Sequence, residues 1–289
     1  MPRYGLLADK DGMQFTQVDA RRPFDGPEKG AALVHSSLSR QRMRIAGGTA
    51  SLKYVLTGCE IYHLGGRRFL LEPGDLLFVR AGTAADVDIA SRSATVGMCV
   101  YFDDHEGQGI DSPFLRMRAP SAYDGAAMDV HTRVRQGTLT SAGLKNSFET
   151  LKTIGLAVTT RLNASCRRLS MAREDARIDL FSRLERARGY ILDHVRQPMS
   201  LDDLARHAGM SRHHFIRQFR AAYGVSPMRF FSRARLDAAC RALSRSPGSI
   251  EDVSVDFGYS GQAAFSKAFK KRYGFAPSHI LRHGPEKSE

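Results

Sequence analysis

Cysteine is scarce in this chain of 289 residues, and the four present, Cys59, Cys99, Cys166 and Cys240, lie far apart. None forms a C-x-x-C pair and none has a closely spaced histidine partner. Neither a zinc site nor a disulfide framework is supported, and a reducing, cytoplasmic setting is expected. Cys99 sits in the apolar run VGMCVYF and reads as a small buried hydrophobe. No apolar run reaches membrane-spanning length, and MPRYGLLADKDGMQF at the start lacks the apolar centre of a signal peptide. The expectation is a protein that is neither exported nor membrane-spanning. A glycine-rich phosphate loop is also missing. The Gly-x-Ser triplets at 209–211 and 258–260 are not followed by the second glycine of a nucleophile elbow, and their flanks read as helices. No Ser/His/Asp set assembles, so no catalytic residue is expected.

What the chain has in excess is positive charge, and a repeat. Its formal net charge is +13, and about nine of those charges lie after Phe181. A basic surplus gathered in one part of a chain suits a polyanionic partner. That part is written twice. LDDLARHAGMSRHHFIRQFRAAYGVSP (201–227) returns as IEDVSVDFGYSGQAAFSKAFKKRYGFAP (250–277). Leu201, Leu204 and Gly209 match Ile250, Val253 and Gly258 at an offset of 49, whereas Phe219, Gly224 and Pro227 match Phe269, Gly274 and Pro277 at 50. One residue has been inserted after the shared Gly-x-Ser, where a turn can absorb it. A repeat at fixed spacing is one supersecondary unit used twice.

The unit can be read from its residues. Ser200 is expected to cap a helix over Leu201, Leu204, Ala205 and Ala208, with Asp202 and Asp203 in the first turn, where the dipole favours acids. Gly209 closes it as a left-handed residue. Ser211 is expected to cap a second helix, with Phe215, Ile216, Phe219 and Tyr223 on one face and Arg212, His213, Arg217 and Arg220 on the other. Gly224 stops that helix and Pro227 prevents its continuation. Two short helices around a glycine turn, the second cationic outside, are the pattern of a helix-turn-helix DNA reader.

Over residues 183 to 284 the chain resembles the DNA-binding domain of the AraC/XylS family of bacterial transcription regulators. The first half matches at Ala205, Gly209, Met210, Ser211, Phe219, Tyr223-Gly224 and Ser226-Pro227, with Arg235-Leu236 and Ala239 in the connecting helix. The second matches at Ile250, Val253, Gly258-Tyr259, Phe265-Ser266, Phe269-Lys270-Lys271, Tyr273-Gly274 and Pro277-Ser278. Departures are Ser254 in place of a small alanine, and Gly261, Ala263 and Ala264 in place of Asp, Ser and Tyr. The resemblance implies double-stranded promoter DNA as partner, with RNA polymerase. It places Ser211, Arg212, His213, Ile216 and Arg217 at the DNA in the first unit. In the second it places Gln262, Ala263, Ser266, Lys267 and Lys270.

From Met13 to Phe102 the texture changes to short β-prone runs such as AALVHSS, LKYVLTG, EIYHL and DLLFVR, separated by turns. Leu64-Gly65-Gly66-Arg67 reads as a hairpin turn. Such a run of strands argues for a sandwich or a barrel. The string from Tyr54 to Val79, Y-V-L-T-G-x-x-x-Y-x-L-G-G-R-R-F-x-L-x-P-G-D-L-L-F-V, looks like the cupin-type sensing barrel of many AraC-family proteins. Metal-using cupins need an H-x-H pair and a later histidine converging on one ion. Here His63 stands alone and Thr83-Ala84-Ala85 fills the later stretch, so His35 and His63 are not read as ligands, and no metal or other cofactor is expected. Arg42, Arg44, Lys53 and Arg67 either face an anionic effector inside the barrel or lie on solvated strand faces. Further on, Leu144, Phe148, Leu151, Ile154, Val158 and Leu162 recur at spacings of three and four, an amphipathic helix. That stripe either packs on its own barrel or forms the homodimer interface that the resemblance implies.

The expected architecture is α+β: a cupin-like sensing barrel with an N-terminal arm (1–110), a helical linker and dimerisation region (111–180), an all-α domain with two helix-turn-helix units (181–284) and a tail (285–289). The expected function is sequence-specific transcription regulation, as an activator and without enzymatic activity. Alternatives are a sensor that answers to a protein instead of a small molecule, or a cupin enzyme fused to a DNA-binding domain.

Overall fold

The computed structural model describes residues 7–8, 13–19, 30–91, 93–245 and 249–283. The expected tail at 285–289 and most of the N-terminal arm lie outside them. The chain divides into two compact units, residues 1–167 and 168–289. The first contains β1 (Leu7–Ala8), β2 (Gln14–Asp19), β3 (Ala32–Leu38), β4 (Gln41–Ile45), β5 (Ala50–Thr57) and β6 (Glu60–Leu64). It continues with β7 (Arg67–Leu71), β8 (Asp75–Val79), β9 (Ala85–Ile89), β10 (Thr95–Phe102), β11 (Phe114–Arg118), α1 (Ser121–Gln136) and α2 (Ser141–Arg167). The second is helical: α3 (Glu174–Asp193), α4 (Leu201–His207), α5 (Arg212–Tyr223), α6 (Pro227–Arg245), α7 (Ile250–Asp256), α8 (Gln262–Tyr273) and α9 (Pro277–His283). The fold is α+β. The boundary expected at 181 falls inside α3, and the stretch expected as one linker is shared between the units.

The expected closed barrel is replaced by two sheets. Seven strands run in the order β1-β2-β3-β10-β5-β8-β11 and four in the order β4-β9-β6-β7, with no ladder between the sheets among the described residues. The chain changes sheet between β3 and β4 at Arg40, which adopts φ 44°. The sheets face one another. Lys53 on β5 meets Glu60 on β6 at 3.0 Å, and the rings of Phe69 on β7 and Phe114 on β11 lie edge-on at 5.1 Å. Strands β6, β7 and β9 bury alternate residues, as one-sided strands do. β5 and β8 are buried almost throughout, because the larger sheet is covered on both faces. The hairpin at Gly65-Gly66 forms as expected, with Leu64 opposite Arg67.

Helices α1 and α2 supply the second cover. Tyr123 of α1 lies 5.3 Å from Tyr54 of β5, ring to ring, and the Tyr54 hydroxyl donates to the Asp124 carboxylate. His131 of α1 meets His35 of β3 at 2.9 Å. α2 comes close to the sheet at Gly155, where a Cβ would sit 2.4 Å from Leu52 Cδ1 and 3.2 Å from Tyr123 Cε2. This contact places one side of α2 against the sheet. Leu144, Phe148, Leu151 and Leu162 are buried within the unit, and Ile154 and Val158 are half-buried. Four of the six stripe residues are therefore covered by the chain's own first unit, the packing alternative, while Ile154 and Val158 stay half-buried.

Candidate nucleic-acid interface

The two copies of the repeat fold alike, and each is built by the same local chemistry. Before α4 the Ser200 hydroxyl accepts the Asp203 amide at 3.1 Å while the Asp203 carboxylate accepts the Ser200 amide at 3.2 Å. This reciprocal cap satisfies amides that the first helical turn leaves open. The hydroxyl bond from Ser200, more than any other contact, holds the Asp203 carboxyl below its ordinary range. Before α7 the Ser249 hydroxyl accepts the Asp252 amide at 3.0 Å. Gly209 and Gly258 turn the chain at φ 60° and 68°, a conformation glycine adopts without steric cost. Ser211 stands at the N-cap position of α5, but its side chain makes no capping bond, contrary to expectation. Gly261, at φ 149°, takes the N-cap position before α8 that Ser211 takes before α5, so the inserted residue is Ser260, between Tyr259 and Gly261.

Inside each copy runs an aromatic ladder. Phe215 and Phe219 are buried with ring centroids 5.4 Å apart, and Tyr223 follows at 4.5 Å. Phe265, Phe269 and Tyr273 repeat this at 5.5 and 4.5 Å. With those faces packed inward, the opposite faces of α5 and α8 are left to solvent. Ser211, Arg212, His213, Arg217 and Arg220 are exposed, and Ile216 is half-buried. At an offset of 50, Gln262, Ala263, Lys267 and Lys270 are exposed and Ser266 is half-buried. The structure thus brings the sequence-predicted residues of each unit together on one outer face. The faces differ in chemistry: α5 presents guanidinium and imidazole groups, α8 three ammonium groups, an amide and the methyls of Ala263 and Ala264.

Sequence reasoning missed how far the repeat extends. Arg183-Leu184-Glu185 on α3 returns as Arg235-Leu236-Asp237 on α6, at an offset of 52. The Tyr223 hydroxyl donates to Glu185 at 2.5 Å and the Tyr273 hydroxyl to Asp237 at 2.6 Å. Each unit is therefore three helices, α3–α4–α5 and α6–α7–α8, tied by a tyrosine–carboxylate bond. Burial and the bond to Asp237 push the Tyr273 phenol up. Glu185 is buried and also receives Arg188 through two bonds, at 2.7 and 2.8 Å. The arginines behave differently from each other. Arg183 donates to the carbonyls of Ala208 and Gly209, the turn of its own unit. Arg235 donates to Val195 at 3.0 Å and Gln197 at 2.9 Å, just past the end of α3.

In the first unit the four expected effector-binding cations do not converge. Arg42 is 76% exposed and pairs with Asp88 at 3.1 Å, and Arg44 is exposed on the same strand. Arg67 is half-buried at the start of β7. Lys53 enters the space between the sheets, where it pairs with buried Glu60 and donates to Ser36 at 3.3 Å. A cavity of about 10 Å³ beside it is lined by Thr49, Ser51, Tyr62, Thr83 and Cys99, among others, room for about one water. Burial pushes the Cys99 thiol up to about 11. His63 bonds Asp88 at 3.0 Å. Among the described residues no group of three or more His, Cys, Asp or Glu side chains is placed to hold a metal ion, and no helix is long and apolar enough to cross a membrane.

Comparison with known proteins locates the similarity in the second unit. A helix-turn-helix domain family matches residues 204–283. The HTH-type transcriptional regulator MtrA of Neisseria gonorrhoeae is 29% identical over 97 residues, 34% of this chain and 32% of that protein. ExsA of Pseudomonas aeruginosa, also an HTH-type transcriptional regulator, is 33% identical over 95 residues, 33% of this chain and 34% of that protein. A solved transcriptional regulator from Chromobacterium violaceum, described as carrying an AraC-type DNA-binding domain, is 24% identical with a TM-score of 0.35, over 37% of this chain and 95% of that one. The chain thus spans about a third of the length of the curated relatives it matches. Residues 204–283 are a helix-turn-helix domain of the kind that these transcriptional regulators carry.

Proposed function

We propose that the whole chain is a sequence-specific transcription regulator, in which α5 and α8 enter two successive major grooves of promoter DNA and the first unit is the control domain. The observation that carries this reading is the duplicated three-helix unit, which presents two outer helix faces with cations at matching positions, Arg217 with Lys267 and Arg220 with Lys270. Contacts from Arg and Lys to phosphates supply affinity, and a few side chains at base edges supply discrimination. The protein acts by binding and not by catalysis, in the cytoplasm. An occupant of the space between the sheets has Lys53 as its cation and must displace Glu60 to reach it. Pairing of two copies, contact with RNA polymerase and promoter activation belong to the same reading, without a residue assigned to them.

The two reading helices are unequal in this account. Arg217 has the fork that bonds O6 and N7 of a guanine, whereas Ala263 offers a methyl and Lys267 a point charge. The test is selection of a site from random double-stranded DNA, followed by a base-substitution scan. Arg217→Ala is expected to cost ~1–3 kcal/mol and relax one base position, and Lys267→Ala to weaken binding evenly across sequences. An Arg217→Ala protein with an unchanged preference pattern refutes the assignment of that residue. Failure of the wild-type protein to enrich any sequence refutes the function.

A further inference from the structure

The first helix of the second reading unit, α6, packs against α3, α4 and α5 of the first, and one of its side chains reaches the segment that follows α3. Beyond α3 the chain bends through Val195, Arg196 and Gln197 before α4 begins. Val195 packs against the core of the second unit, formed by Leu236, Leu243, Phe257, Phe265 and Phe269 among others. The Arg196 guanidinium lies 5.0 Å from the centre of the Phe257 ring. A Cβ at Gly258, in the turn that leads to α8, would sit 3.6 Å from the Arg196 carbonyl and 3.7 Å from Arg235 Nη1. Three elements therefore meet here: the segment after α3 in the first reading unit, α6, which opens the second, and the turn that aims α8.

Arg235 joins all three. It projects from α6, donates through two different nitrogens to the carbonyls of Val195 and Gln197, and lies over the Phe231 ring at 4.2 Å. Carbonyls of an irregular bend have no ladder partner, so the guanidinium satisfies two acceptors of the segment between α3 and α4. A planar fork that bonds two carbonyls while stacked on a ring has one orientation; an ammonium in its place would pivot. The contrast with Arg183 is informative. Its partners, Ala208 and Gly209, lie within a single unit, so it can set the aim of α5 without affecting the distance to α8.

We propose that Arg235 is a positioning residue that fixes the separation and angle of the two reading helices, and with them the spacing of the two DNA half-sites the protein accepts. This rests on the two-groove reading above. Half-site spacing is a geometric property of a rigid two-part reader, so loosening the joint widens the spacings tolerated without altering the bases preferred in either half.

The experiment uses the full chain and a pool of random double-stranded DNA. The wild-type protein is expected to return two sequence elements at one spacing. Arg235→Ala is expected to return the same two elements at several spacings. Its discrimination against a one-base-pair insertion, about tenfold in the wild type, should fall toward none. Arg183→Ala, as control, is expected to weaken binding at every spacing and keep the wild-type preference. Arg235→Lys and Arg196→Ala are measured in parallel, so a folding failure of the alanine variant leaves the question answerable. Arg196 is exposed and its loss spares the core. Variants of the joint that bind more weakly but return a single unchanged spacing overturn the proposal. A wild-type protein that returns no two-part site instead overturns the DNA reading itself, a result of a different kind.

Discussion

At the scale of single residues, the pair His35–His131 gives the first unit a pH dependence whose sign follows from its surroundings. The two rings stack at 5.2 Å with Nε2 and Nδ1 2.9 Å apart, an arrangement in which one neutral ring donates and the other accepts. Burial, then His131, then Lys53 push His35 from 6.5 down to about 4, and burial and Arg135 lower His131 as well. The folded state therefore takes up fewer protons than the unfolded chain once the pH drops below 6.5. The stability contribution is complete above that value and is lost as the pH falls toward 4, up to about 3 kcal/mol for His35. Denaturant midpoints of the full chain at pH 7.5, 6 and 5 are expected to fall steadily. His35→Leu should remove part of that slope, and a variant with the wild-type slope would assign it to other groups. None of this was legible in the sequence, where His35 reads as an isolated polar residue. Its partner is 96 positions away on a helix, and no local pattern announces such a pairing.

At the scale of elements, legibility follows whether a signal is local. Capping serines, turn glycines and aromatic spacing locate α4, α5, α7 and α8, since each feature acts within a few residues. Alternation along a strand reports one buried face, and that is equally true of a barrel and of two facing sheets; closure depends on ladders between distant strands. The tyrosine–carboxylate ties escaped notice because Glu185 and Asp237 precede the conspicuous copies and repeat at an offset of 52, out of step with the 49 and 50 of the rest. The α2 stripe is the clearest instance. Spacing shows which side of a helix is apolar but not what lies against it, and the close approach at Gly155 settles that for Leu151, which is fully buried. Leu151→Ala is expected to cost about 2–5 kcal/mol of stability, the ordinary penalty for a core cavity. Its sedimentation behaviour should match the wild-type protein. A stable variant with an altered oligomeric state would return this residue to an interface.

At the scale of the whole molecule, charge and architecture coincide. The helical unit from residue 168 has its own buried aromatic cores, one under α5 and one under α8, and holds most of the chain's positive surplus. Compactness of this kind predicts that residues 168–289 fold alone, whereas a cut at 181 removes the first two turns of α3 and with them Ile178, which is buried. On the outer faces, Arg212, Arg217 and Arg220 of α5 and Lys267, Lys270 and Lys271 of α8 are exposed. Each phosphate neutralised by such a group releases counterions, so with most of the six engaged, log affinity should fall against log salt with a slope of about −4 to −5. The fragment and the full chain are expected to share that slope if, as proposed, the phosphate contacts come from the helical unit. Titrations of a selected site at several salt concentrations measure it for both. A flat response in the fragment would show that these faces do not meet phosphates. A steeper slope in the full chain would show that the first unit supplies contacts of its own.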